Sequence, residues 1–204
     1  MIDLAAFLPS ITPYAPGAAE PNVWANIIRA AQTFSERGRL WRDTASVAFT
    51  PDSASVIPVP TGAELFEIEH AIMAERDLKP MSVSDLDRKH PGWRTQTDDQ
   101  ARWYTQTTPG TLQLVPGCTG QLDVWMFLRP TDNATNLPDL FGQYTDVLAD
   151  GALAKILMLP DQLFSNPQMA QFYGERFDNR IDSLFNRTVQ GQQRAPIRTR
   201  ARFF

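Results

Sequence analysis

The sequence predicts an α+β protein: a helical bundle of one N-terminal and two C-terminal helices, an antiparallel β-sandwich inserted between them, an extended N-terminal arm and an extended C-terminal tail. Two patterns carry this. Apolar residues recur at three- and four-residue spacing after Pro21 and again after Asn136. Between residues 44 and 130 the segments are instead short, rich in β-branched and aromatic residues, and broken by proline and glycine. The implied organisation is a bundle from residues 1–43 and 131–186, a strand insert at 44–130 and a tail at 187–204.

The opening "FLPSITPYAPGAAEP" holds Pro9, Pro13, Pro16 and Pro21, which remove backbone donors and hold their predecessors extended, so it reads as an ordered extended arm. From Pro21 the residues Trp24, Ile27, Ile28, Ala31 and Phe34 share one face of a helix that Gly38 ends. "TASVAFT", "VIPVP", "FEIEHAIMAE", "RWYTQTT", "TLQLVP" and "QLDVWMFLRP" then read as strands, spaced as in a small antiparallel sandwich or barrel. "SVSDLDRKHPGW" interrupts them as a short helix, with Ser82 as cap and Asp85 in the capping-box position.

After Asn136, Leu140, Tyr144, Val147, Leu148, Ala152, Ile156 and Leu159 form a helical stripe, and Gly151 with Ala152 makes a low point for another helix. Pro160 breaks that helix. Asn166 caps the next, Pro167 starts it, and Met169, Tyr173, Phe177, Ile181 and Phe185 follow at four-residue spacing.

At 204 residues and 43% hydrophobic the chain can bury a sizeable core. A single cysteine, Cys118, forms no internal disulfide, and Met1-Ile2-Asp3 is not the start of a signal peptide, so synthesis in a reducing cytoplasm is expected. The longest apolar stretch, "ALAKILMLP", falls far short of the roughly 20 residues a membrane span needs, so no membrane partner is expected. Charge is uneven. The tail carries Arg187, Arg194, Arg198, Arg200 and Arg202 with no acid; removing its +5 from the chain's formal -4 leaves -9 on residues 1–186.

Catalytic signals are weak. Asp85, Asp87, His90, Asp98 and Asp99 are the residue types of a metal site or an acid–base pair, but their spacing fits no ligand motif, and Asp85 and Asp87 do not share a helical face. A cap followed by a solvated loop accounts for them. His70 falls in a strand pattern, and Cys118 lies in a Pro-Gly turn with no histidine nearby. There is no phosphate-binding glycine loop, nucleophile elbow or HExxH. No catalytic, cofactor or metal residue is assigned, and no enzyme is expected. Of the five tryptophans, Trp24 fits a core stripe and Trp125 an apolar strand, which favours packing over a stacking platform for ligands.

Two passages are more specific: "FLPSITPYAPGAAEPNVWANIIRAAQTFSERGRLWRD" and "DGALAKILMLPDQLFSNPQMAQFYGERFDNRIDSLFNR". Together they resemble the head-to-tail adaptor (connector or neck) proteins of tailed bacteriophages, including the tail-tubular adaptor type, and the middle "WYTQTTPGTLQLVPGCTGQLDVWMFLRP" is similar to the strand-rich insert of such proteins. The resemblance implies a structural virion protein of the neck, made in the host cytoplasm. Its subunits form a homo-oligomeric ring, commonly twelvefold, below the portal protein; the ring extends the DNA channel and gives the tail or nozzle protein its platform, with DNA passing through without sequence-specific binding. It also implies a C-terminal extension that reaches the portal, which assigns docking to Arg194, Ile197, Arg198, Arg200, Arg202, Phe203 and Phe204. The alternative is a nucleic-acid-binding module using the arginine tail on phosphates; the acidic body argues against a general DNA-binding surface. A virion-associated hydrolase using Asp85 and His90 is a second alternative.

Overall fold

The computed structural model describes residues 1–51 and 54–190, with side chains through Phe185. The chain is mixed α+β and divides into two units: Met1–Trp41 with the chain from Arg129 onward, and Arg42–Leu128.

The first unit is helical. A short strand β1 (Ile2–Asp3) pairs antiparallel with β9 (Asn136–Leu137). The predicted extended arm is not formed: Leu4–Phe7 is a 3-10 turn and α1 spans Leu8–Ile11. The prolines mislead here because Pro9 occupies the first turn of α1, where a missing N–H costs nothing, and the Asp3 carboxylate accepts the Ala5 N–H at 2.8 Å. Leu4, Phe7 and Ile11 are thereby turned into the core.

Helix α2 (Glu20–Gly38) buries Val23, Ile27, Ala30, Ala31 and Phe34. Its left-handed cap is Arg39, at φ 47°, and not Gly38. Gly38 lies within the last turn, where a Cβ would come 3.1 Å from Leu184 Cδ2, so the glycine makes room for a neighbouring helix.

A 3-10 turn (Asp139–Tyr144) leads into α4 (Thr145–Ile156), shorter than the stripe from Leu140 to Leu159 implied. Val147, Leu148, Ala149, Ala152, Leu153 and Ile156 are buried, so α4 is covered nearly all round, as a central helix must be.

Helix α5 (Pro167–Gln190) begins where Asn166 Oδ1 accepts the Met169 N–H at 3.1 Å. It continues past residue 186, because Thr188, Val189 and Gln190 include no helix breaker and Gly191 is the first. The four residues 187–190, assigned from sequence to the extended tail, are helical. The buried row is Ala170, Tyr173, Phe177, Ile181 and Leu184. A strict four-residue step drifts about 40° per step, so Met169 and Phe185 at the ends of the expected stripe leave the core face.

The three long helices close on Gly151. A Cβ there would sit 2.8 Å from Phe177 Cε2 and 2.9 Å from Ala30 Cβ, so α2, α4 and α5 meet at the low point that the sequence marks. Phe34 packs against Phe177 (6.5 Å between ring centroids) and Tyr144 (5.0 Å), and burial of each such ring contributes about 1.5–3 kcal/mol.

The second unit is strand-rich. Strands β2 (Arg42–Phe49), β3 (Ser55–Val56), β4 (Ala63–Met73), β5 (Arg76–Pro80), β6 (Trp103–Thr105), β7 (Thr111–Val115) and β8 (Gly120–Pro130) form one seven-stranded sheet in the order β2-β8-β4-β5-β6-β7-β3. β2 and β8 pair from Arg42↔Phe127 to Phe49↔Gly120, which turns Val47, Phe49, Leu122, Val124 and Met126 inward and Thr44, Ser46 and Asp123 outward.

The sheet curls until its edge strands β2 and β3 adjoin, with Ser55 Oγ donating to the Ala48 carbonyl at 3.1 Å. Of the sandwich or barrel that the strand spacing allows, the unit forms a near-barrel and not the two facing sheets of a sandwich, and near-closure covers the edges a sandwich leaves open. Nor is it wholly antiparallel. The chain leaves β5, forms α3 (Val83–Lys89), and returns to pair β6 parallel to β5.

Candidate functional site

The residues assigned to docking, Arg194, Ile197, Arg198, Arg200, Arg202, Phe203 and Phe204, lie outside the described residues. What the structure describes is the helix that carries them. α5 runs parallel to α2: Tyr173 meets Tyr14 at one end (5.7 Å between ring centroids), and Leu184 packs beside Gly38 at the other. Arg37 ties the two together. It pairs with Asp178 and, at 3.1 Å, with Asp182, and the Asp178 hydrogen bond raises its pKa further above its ordinary value, keeping it charged. On the other side, Arg176 Nε reaches Asp150 Oδ2 of α4 at 2.8 Å.

Asp150 is 4% exposed, and burial pushes its carboxyl pKa up despite the nearby Arg176 and Arg180. This pair, a buried carboxylate met by an exposed guanidinium, escaped the sequence reading. Its two residues stand 26 positions apart on different helices, and nothing local marks them.

The clustered acids of α3 have structural partners. Ser82 Oγ accepts the Asp85 N–H at 3.2 Å, as the capping pattern predicts, and Asp85 pairs with Arg88 at 2.5 Å and Lys89 at 3.7 Å. Asp87 accepts from Trp93 Nε1 at 2.8 Å and Arg94 at 2.6 Å. Hydrogen bonds hold both carboxyls below their ordinary range, chiefly from Ser82 for Asp85 and from Arg94 for Asp87. The backbone N–H groups of Asp98 and Asp99 donate to the Gly117 carbonyl (3.0 Å) and Asp98 Oδ1 (2.7 Å). His90 packs on Trp103 with 4.5 Å between ring centroids. Among the described residues, these acids and His90 form no cluster that could hold a metal ion.

His70 stacks on Trp125 at 4.4 Å and 11°. Cys118 is buried, its Sγ 3.6 Å from Met73 Sδ, and burial raises the thiol pKa, the opposite of what a nucleophile requires.

Four tryptophans pack as structural side chains: Trp41 against Phe141, Trp93 buried beneath Arg94, Trp103 with His90, and Trp125 with His70. Trp24 does not. Its spacing fits the core stripe, yet it is 37% exposed, because it lies roughly 75° round α2 from the centre of the buried row. It borders a groove of about 570 Å³ lined by Leu4, Pro21, Ile28 and Ala134, with Asp3 and Asp132 on the rim. Asp132 Oδ1 accepts from Gln32 Nε2 at 2.8 Å.

No helix among the described residues is long and apolar enough to cross a membrane. A comparison with curated protein sequences gives no match. The family model described as SU10 adaptor protein matches residues 6–200, nearly the whole chain, including Arg194, Ile197, Arg198 and Arg200. With helices before and after a strand-rich unit in the order that the two specific passages imply, the chain belongs to the SU10 adaptor family, the structural head-to-tail adaptors of phage virions.

Proposed function

We propose that this adaptor closes into a ring of twelve copies beneath the portal, that the ring continues the DNA channel, and that its far side is the platform for the tail or nozzle protein. The observation that carries the reading is the family match, which runs through the strand unit and on into the arginine-rich segment. Placement at the virion neck follows from the same match. The excess of acid on residues 1–186 suits a conduit, since DNA slides past a surface that repels it.

In this reading residues 191–204 reach the portal, Arg194, Arg198, Arg200 and Arg202 pair with acids or carbonyls, and Ile197, Phe203 and Phe204 fill pockets. α5 gives that segment a fixed origin at Gln190. Negative-stain imaging of the protein with and without portal tests the ring: closed rings on portals are expected, and monomers that never join a portal would refute it. Deleting residues 194–204 should leave the circular dichroism unchanged and abolish portal docking, while Arg198→Ala and Arg200→Ala each weaken docking less. Truncated subunits that dock normally would remove the tail from the interface. DNA affinity that falls steeply with salt and vanishes on the same deletion would favour phosphate binding instead.

A further inference from the structure

The groove beside Trp24 has no part in the reading above, yet its chemistry selects an occupant. Its floor is apolar, formed by Leu4, Trp24 and Ile28. On its rim stand Asp3 and Asp132, and among the described residues neither has a cation within 4.0 Å. The Trp24 indole N–H likewise has no acceptor there. A peptide that fits must bring positive charge to the rim, apolar side chains to the floor and a carbonyl to the indole.

Residues 191–204 have that composition: four arginines, no acid, and Phe203 with Phe204. Reach agrees. α5 leaves the bundle beside Gly38, and Trp24 lies fourteen positions back along the same α2, about 21 Å at 1.5 Å per residue. Adding the last turns of α5 beyond Leu184 makes the path roughly 30 Å, whereas fourteen extended residues span up to about 46 Å.

We propose that the Trp24 groove is the docking site of the chain's own C-terminal segment, residues 191–204, in the subunit free of other partners. The arginines pair with Asp3 and Asp132, and the terminal phenylalanines cover Trp24 and Leu4. Tethering makes the contact effective even when the isolated peptide binds weakly, because the local concentration of a short linked segment is of order millimolar. The proposal stands whether or not the segment later moves to a portal, and its test uses no portal.

The test is photocrosslinking of the dilute full-length protein with p-benzoylphenylalanine in place of Phe203, mapped by mass spectrometry. Crosslinks within one chain to residues 21–28 or 132–136 are expected. Their yield should fall at least about five-fold in Asp132→Lys and in Trp24→Ala, and also in the unsubstituted groove when salt is raised from about 50 to 500 mM. Asp132→Asn serves if the lysine variant does not fold. Crosslinks centred elsewhere, crosslinks formed chiefly between two copies, or a yield unchanged by both salt and a folded Asp132 variant would each overturn the assignment.

Discussion

In the helical unit a Cβ on Gly151 would meet Ala30 Cβ and the Phe177 ring, while in the strand unit a Cβ on Gly120 would meet Met73 Cε. Neither glycine has space, but the neighbours differ in what they can do. Ala30 Cβ is fixed to the backbone of α2, and Phe177 is wedged by Phe34; the Met73 thioether ends a chain of rotatable bonds. Carboxylates divide the two units as well. Asp150 is buried and its carboxyl pKa rises, whereas Asp85 and Asp87 lie in solvent within reach of donors and their pKa values fall. The two glycines thus differ in how far their neighbours can yield, and the three carboxylates in whether burial or nearby donors set the direction of their pKa.

The largest test of that contrast is Gly151→Leu, which overpacks three helices at once. A loss of about 3 kcal/mol is expected, lowering the thermal midpoint by roughly 6–12 °C. An unmoved midpoint would mean the helices do not meet there. Gly120→Ala should cost under about 1 kcal/mol, because Met73 can swing aside. A cost equal to that of Gly151→Leu would erase the distinction between stiff and compliant neighbours.

The smallest effects differ in sign. Asp150 binds its proton more tightly when folded, so its contribution to stability falls as pH rises from the ordinary 3.8 through the raised value. Asp150→Asn cannot ionise, so its stability profile above 3.8 should be flatter than that of the parent. Asp87 is the reverse: its contribution is present above 3.8 and lost as pH falls through the lowered value, so Asp87→Asn should weaken the protein slightly at pH 7 and not at strongly acid pH. Urea midpoints across the acid range would read both slopes, and two slopes of the same sign would contradict the assignment of burial to one and donors to the other.

Local rules made parts of the fold legible. Pro21, Asn166 with Pro167, and Ser82 with Asp85 each mark a helix start that the structure forms, because caps act within one turn. Gly151 was legible as a low point on an apolar stripe. Pairing choices were not. Nothing within β5 or β6 specifies that they run parallel, since that follows from where α3 returns the chain. Trp24 departs from the core-stripe reading because a residue at the edge of a helical stripe satisfies the spacing rule while staying more than a third exposed. Asp150 was invisible for the opposite reason: its partner is chosen by helix packing across sequence.

The unbroken helix from Pro167 to Gln190, 24 residues and about 36 Å long, has a mechanical consequence. A pull applied beyond Gln190 is passed to the whole helix at once, because its backbone is one hydrogen-bonded rod. The Arg176 pair, the Arg37 pairs and the wedge at Gly151 all fall on this one helix, so they hold a single rod to both α2 and α4. Were the helix to end at residue 177, Asp178 and Asp182 would leave it and the Arg37 pairs would be lost, so the length of α5 is what lets individually weak fastenings to two helices act on one rod.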